Sequence, residues 1–173
     1  MPLMETILRR RSVRKYSSRP VPEESLKKIL EAGLLAPTSM NRKPCEFYVV
    51  KDRGILEELA SSKSSGAGML PGCGAAIAVF ADSQKADTWT EDCSIALSYM
   101  NLMAAQENIG SCWVQIHLRS KEDGTDAEDA VRKIFALPER FRIVGLLALG
   151  VPDSLPAPHT MDDIDWNRVH IIE

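Results

Sequence analysis

Apolar residues recur at helical spacing in METILRRR, at Leu3, Ile7 and Leu8, and predict a short amphipathic first helix ending near the arginines. Carried forward, the same stripe brings Arg10, Arg11 and Arg14 onto the face expected to be buried. The following SVRKYSSRPV reads as extended. Pro22 followed by Glu23 and Glu24 opens a second helix whose buried stripe is Leu26, Ile29, Leu30, Leu34 and Leu35, stopped by Pro37.

Glu46 to Lys51 is rich in β-branched and aromatic residues and predicts a strand, and Arg53 to Ser62 returns to helical spacing. Residues 61 to 74 hold the densest Ser and Gly cluster in the chain and predict a flexible connection. Ala75 to Asp82 reads as a buried strand. Glu91 to Asn108 is helical but apolar on nearly every side, so more than one neighbour, or a second subunit, is expected to cover it. Ser111 to Ile116 and Phe141 to Leu149 read as strands, with a helix from about Ala127 to Phe135 between them and an extended, proline-bearing tail beyond Gly150. No repeat and no second domain is visible over residues 1 to 173. Element order alone leaves α+β and α/β open.

Composition narrows the function. The 173 residues are 45% hydrophobic and carry a formal net charge of -3. An acidic chain is a poor holder of a nucleic-acid backbone or an anionic membrane. Cys45, Cys73, Cys93 and Cys112 form no C-x-x-C pair and no zinc spacing, so reduced, buried thiols are expected. The longest apolar stretch is too short to cross a bilayer, and no secretory signal is visible, which points to a cytoplasmic protein.

The one dense basic run is Arg9, Arg10, Arg11, Arg14 and Lys15. Guanidinium forks bind phosphate oxygens bidentately and Ser12 adds a hydroxyl, so R-R-S-V-R suits a phosphate or carboxylate; a solvated basic face or a nucleic-acid patch is the alternative. The turn Ala36 to Pro44 packs Thr38, Ser39 and Asn41 between two prolines. It can present hydroxyls and amides to the polar edge of a heterocycle, or simply stop a helix. Gly66, Gly68, Gly72 and Gly74 come before a strand, the wrong order for a dinucleotide loop. Trp113 follows a glycine-led strand start and suits either a ligand or the core. His117, His159 and His170 have no triad partner at a known spacing.

Taken together and in order, R-R-S-V-R-K-Y, A-P-T-S-M-N-R-K-P, G-S-C-W-V, A-L-G-V-P and the closing D-W-N-R-V-H resemble the FMN-dependent nitroreductase family over essentially the whole chain. The resemblance implies an α+β fold, a central mostly antiparallel sheet flanked by helices, and an intertwined homodimer with FMN at the subunit interface. It implies a flavoenzyme that takes electrons from NADH or NADPH and passes them, in ping-pong fashion, to a nitroaromatic, a quinone or a similar small acceptor. Relatives that dehalogenate aromatics, reduce activated alkenes or cleave flavin share the fold, and a flavin-binding protein without turnover is a further alternative.

By position, Arg10 and Ser12 match contacts on the FMN phosphate side, Arg14 a contact near the pyrimidine edge of the ring, and Arg11 a fourth. Pro37, Thr38, Ser39 and Asn41 match the stretch a partner subunit brings to the flavin, and Trp113, Val114 and Gln115 match the strand passing the ring. The chemistry belongs to flavin N5, so no catalytic side chain is implied. Family members usually carry glutamine where Lys43 stands and tryptophan where Cys45 stands. They also place a cation after the last strand, where this chain has Leu155 to His159, leaving His159 or Arg168 as substitutes.

Overall fold

The computed structural model describes residues 2–173. Helices and strands follow one another as the periodicities predict: α1 (Leu3–Arg9), α2 (Glu23–Leu34), β1 (Cys45–Val50), α3 (Arg53–Ala60), β2 (Ala75–Asp82), α4 (Trp89–Gln106), β3 (Gly110–Gln115), α5 (Ala127–Ile134) and β4 (Phe141–Gly150). Local chemistry fixes several starts. The Asp52 carboxylate accepts the Ile55 N–H at 3.0 Å ahead of α3, and Asp126 accepts the N–H groups of Glu128 and Asp129 ahead of α5.

The four strands form one sheet in the order β1-β2-β4-β3, antiparallel at every pairing. The fold is therefore α+β. Every residue of β2 is buried, and its side chains alternate between two cores. Ala76, Ala78 and Phe80 meet Leu56 and Leu59 of α3 and Val131 of α5; Ile77, Val79 and Ala81 meet Ile29 of α2 and Leu97 and Met100 of α4. Helices cover both faces, which explains why the central strands read as continuous apolar runs.

Two stripes behave differently from their periodicity. Leu3 and Ile7 of α1 are exposed, and the buried residue of that helix is Thr6, whose hydroxyl donates to Gln106 Oε1 at 2.6 Å. Leu34 and Leu35 are also exposed, because α2 meets α4 through Ala32 and Gly33; a Cβ on Gly33 would stand 2.9 Å from Met100. As a result α4 buries one side only. Tyr99, Leu102 and Met103 on its other side line an open groove of about 480 Å³ with Leu3 and Ala32.

The Ser- and Gly-rich segment is less free than its composition predicts. Ala67, Met69, Leu70 and Cys73 are buried in the core on the α3 side, and a short 3-10 turn spans Leu70–Gly72. The tail beyond Gly150 is exposed, through Trp166, Val169, Ile171 and Ile172 among others, and differs from the extended expectation in two short 3-10 turns, Met161–Asp163 and Trp166–Arg168. Among the described residues, no helix is long and apolar enough to cross a membrane.

Two close approaches seat the segment after α1 on the sheet. Ser12 bridges Ser111 in parallel, Tyr16 bridges Pro152, and the Val13 N–H donates to the Ser111 carbonyl at 2.9 Å. Val13 lies over Gly110, where an added Cβ would come within 2.8 Å, and the Tyr16 ring lies over Gly150, where it would come within 2.6 Å. The Tyr16 hydroxyl is pinned to the Val13 carbonyl at 2.7 Å, so the ring cannot swing away. Gly150→Ala is accordingly expected to cost about 2–3 kcal/mol, the upper range for overpacking, measured by urea denaturation. An unchanged midpoint would show that the segment is not seated in this way.

Candidate cofactor-binding site

Helix α1 ends at Arg9, and Arg10 already has extended backbone, φ -60° and ψ 119°. The helical stripe therefore does not continue into the arginines. The segment runs extended beside β3, with Val13 buried and Ser12 and Arg14 exposed. This corrects the expectation that Arg14 lies on a buried helical face. Arg10 and Arg11 are half-buried.

The two arginines diverge in role. Arg11 Nη1 donates to the Ala157 carbonyl, and the His159 N–H donates to the Leu8 carbonyl at 2.8 Å, so Arg11 holds the tail against α1. The His159 ring stands 3.3 Å from Asp163. Arg10, Ser12 and Arg14 instead gather around the Cys112 thiol. Burial pushes that thiol up, against the pull of Arg14, a hydrogen bond with Ser12, and Arg10.

Strand β3 supplies the neighbouring wall. Trp113 is half-buried, its Nε1–H donating to Gln115 Oε1 at 2.9 Å, while Gln115 Nε2 donates to the His117 carbonyl at 3.0 Å. Gly145 makes room for the indole, since an added Cβ there would stand 3.0 Å from Trp113 Nε1. Val114 points the other way, into the core, so only its backbone is available to a ligand.

The turn after α2 is locked to the start of α4. The Ser39 N–H donates to buried Asp92 Oδ1 at 2.9 Å, and Thr38 Oγ1 accepts the Lys43 N–H at 3.1 Å. Met40, Asn41 and Lys43 all have positive φ, and Pro37 and Asn41 are exposed. Ser111 Oγ, beside Ser12, is bonded to Asn101 at 2.7 Å, nine residues beyond Asp92 on the same helix. The two anchor points are thus about 14 Å apart along α4. Among the described residues, no hydrogen bond or ion pair joins residues 37–41 to residues 10–14 or 113–115. One chain brings the arginine segment and β3 together and leaves the proline-flanked turn separate.

Two features escape the sequence reading. Lys63, in the Ser- and Gly-rich segment, places Nζ 2.7 Å from the Gln115 carbonyl; burial, then nearby Arg119, lowers its pKa. Behind Gln115, Glu128 is buried and accepts Arg142 Nε at 2.8 Å, Arg142 Nη2 at 3.0 Å and a 2.5 Å bond with His117 Nδ1. Arg142 also lies over the Trp89 ring, and Trp89 packs edge-on against His117. Only the folded chain assembles this network.

Charge pairing separates two groups of cations. A depression of about 530 Å³ is rimmed by Arg132, Arg140 and Arg142, but each of these pairs with a carboxylate: Asp129, Asp82 and Glu128. Among the described residues, no ion pair ties Arg10, Arg14 or Lys63 to a carboxylate. Guanidinium and ammonium groups held beside a strand without counter-charge suit a ligand that brings its own phosphate and a polar ring edge.

The arginine-bearing segment thus runs along the β3 edge of an antiparallel α+β sheet. The Nitroreductase family model matches residues 7–68 and 61–151. The chain belongs to the Nitroreductase family. An Archaeoglobus fulgidus protein provisionally named NADH dehydrogenase/NAD(P)H nitroreductase is 34% identical over 172 residues, covering 96% of this chain and 95% of its own length. The solved structure of an FMN-dependent nitroreductase from Clostridium difficile superposes with a TM-score of 0.95 at 34% identity, covering 98% of this chain and 99% of that one. A Bacteroides fragilis nitroreductase solved with bound FMN gives a TM-score of 0.77 at 26% identity, over the full length of both chains.

Proposed function

We propose that residues 1–173 form one cytoplasmic FMN-dependent oxidoreductase domain that uses NADH or NADPH to reduce nitroaromatics, quinones or similar small acceptors. The observation that carries this reading is the cationic segment: Arg10 and Arg14 beside β3, with Lys63 bonded to the Gln115 carbonyl of that strand, none of them paired with a carboxylate. That donor set fits FMN, whose phosphate and polar ring edge supply the missing negative charge. The names of the relatives, FMN-dependent nitroreductase and NAD(P)H nitroreductase, support the same assignment.

In this reading Arg10 and Ser12 hold the phosphate, and Arg14 holds the pyrimidine edge. Arg11 holds the tail through the Ala157 carbonyl. Trp113, the Val114 backbone and Gln115 form the wall beside the ring, with Gln115 kept in place by the His117 carbonyl. When bound, FMN supplies two-electron transfer between the reduced nicotinamide and the acceptor. Arg14 is a fixed cation aimed at charge that develops during reduction, which lowers the barrier without reorganisation. Reductant and acceptor use the same place in turn, so the kinetics are ping-pong.

A homodimer completes the site. The open groove along α4, the exposed face of α1 and the exposed tail are surfaces a second copy would cover, and Pro37, Thr38, Ser39 and Asn41 would then reach the partner's flavin. Steady-state assays of FMN-loaded protein, varying NAD(P)H against a nitroaromatic and against a quinone, test the activity. Parallel double-reciprocal lines with either acceptor are expected. FMN binding without NAD(P)H oxidation above the free-flavin background would replace this reading with a flavin-binding protein. Turnover confined to a halogenated aromatic or an activated alkene would make the chain a dehalogenase or an ene-reductase of the same fold.

A further inference from the structure

Two of the four cysteines meet in the fold although 48 residues separate them. Cys45 opens β1 and Cys93 lies in the first turns of α4, with their sulfurs 3.7 Å apart. Cys93 is fully buried, whereas Cys45 is half-buried and reachable. Their surroundings matter as much as their separation. Asp92, next to Cys93, holds the Ser39 N–H, and Cys45 follows the Thr38 to Pro44 turn directly. The two thiols therefore sit at the two roots of the turn that the proposed function assigns to the cofactor.

We propose that Cys45 and Cys93 form a dithiol site that hydrogen peroxide converts to a disulfide, tying the turn at residues 38–44 to α4. Cys45 is the attacking thiol. A hydrogen bond from Cys93 lowers its pKa, against burial and the nearby Asp92 charge, while Cys93, bonded to Cys45 and buried, is pushed up. The Cys45 thiolate attacks one peroxide oxygen, the O–O bond breaks, and hydroxide leaves to be protonated to water, giving the sulfenic acid. Cys93 then attacks the Cys45 sulfur and loses its proton, and the sulfenic oxygen leaves as a second water. Two thiols lose two electrons, and the peroxide gains them. An S–S bond needs about 2.05 Å, so the sulfurs must close by less than 2 Å.

Cys73 and Cys112 have no such partner among the described residues. Burial raises the pKa of both, Cys73 to about 11, so neither is a ready nucleophile at neutral pH.

The inference concerns the flavin site's turn but does not require flavin, because the cross-link is read directly. The test treats the purified full chain with hydrogen peroxide, alkylates remaining thiols, and analyses intact mass and peptides without reductant. The expected result is a loss of about 2 Da, a peptide joining Cys45 to Cys93, reversal by dithiothreitol, and slower amide exchange at residues 38–44. Cys45→Ser is expected to abolish the cross-link and leave Cys93 unoxidised; should that variant fail to fold, the peptide map of the unaltered chain stands alone. Stepwise oxygen addition at Cys45 without a cross-link would overturn the proposal, as would a link through Cys73 or Cys112, or thiols intact under peroxide that consumes free cysteine. A Cys45 to Cys93 link that left exchange at residues 38–44 unchanged would overturn the tie to the turn.

Discussion

Arg10→Ala is expected to weaken FMN binding by about 10–100-fold, the loss of one charge-assisted contact worth roughly 1.5–3 kcal/mol. Beside β3 Arg10 has no carboxylate partner, so its charge is free to act on a ligand, whereas Arg132, Arg140 and Arg142 are each already paired. Removing Arg132 or Arg140 would disturb an internal ion pair and leave FMN affinity nearly as it was. Arg14→Ala separates the two ends of the proposed site: the flavin's two-electron potential is expected to fall by about 30–60 mV, because the variant loses a cation that favours the reduced ring. Fluorescence titration reads the first effect and dye-equilibrated reduction the second. Unchanged affinity in Arg10→Ala, with the fold intact, would remove the phosphate assignment.

Glu128→Gln is expected to cost about 3 kcal/mol of stability and to lower the melting temperature by roughly 6–12 °C. Glu128 is buried and accepts two bonds from Arg142 and one from His117, so glutamine would turn an amide N–H₂ toward donors that have nothing to give it to. The same site sets an acid limit. Burial raises the Glu128 pKa, but the hydrogen bonds from Arg142 and His117 outweigh it, and the net shift is downward from 4.5. A carboxyl whose pKa is lower in the folded state contributes stability that is fully present above its unfolded pKa and is lost as pH falls through the folded value. The unaltered chain should therefore lose stability below about pH 4.5 more steeply than Glu128→Gln. Superimposable pH profiles would show that the pair is not coupled to folding. Because the His117 carbonyl holds Gln115 Nε2, the variant should also loosen the wall of the site.

The order of helices and strands was legible because each carries its own period, and covered strands such as β2 read as unbroken apolar runs. The arginine segment was legible as chemistry but not as geometry. Nothing in R-R-S-V-R says that the helix stops at Arg9; the stop comes from docking, with Val13 over Gly110 and Tyr16 over Gly150. Leu3 and Ile7 misled for the same reason, since both stay exposed and Leu3 rims a groove and not the core. Val114 was correctly placed on its strand, yet its side chain belongs to the core, a distinction set by the pleat.

Lys63 was hidden by its neighbours, a cation in a run of serines and glycines whose composition speaks only of flexibility. Glu128, His117 and Arg142 are 11 and 14 residues apart and share no local pattern, so their network exists only after β3, α5 and β4 have packed. The Cys45 and Cys93 pair is more distant still. For these groups no period or motif could have stood in for the tertiary structure.

The most direct test of the central claim is the absorbance spectrum of the purified protein, reconstituted with FMN, before and after anaerobic addition of NADH and then NADPH. An oxidised flavin band that stays with the protein and bleaches on addition of either nucleotide is the expected result; a protein that retains no FMN after reconstitution would contradict the function argued from the cationic strand.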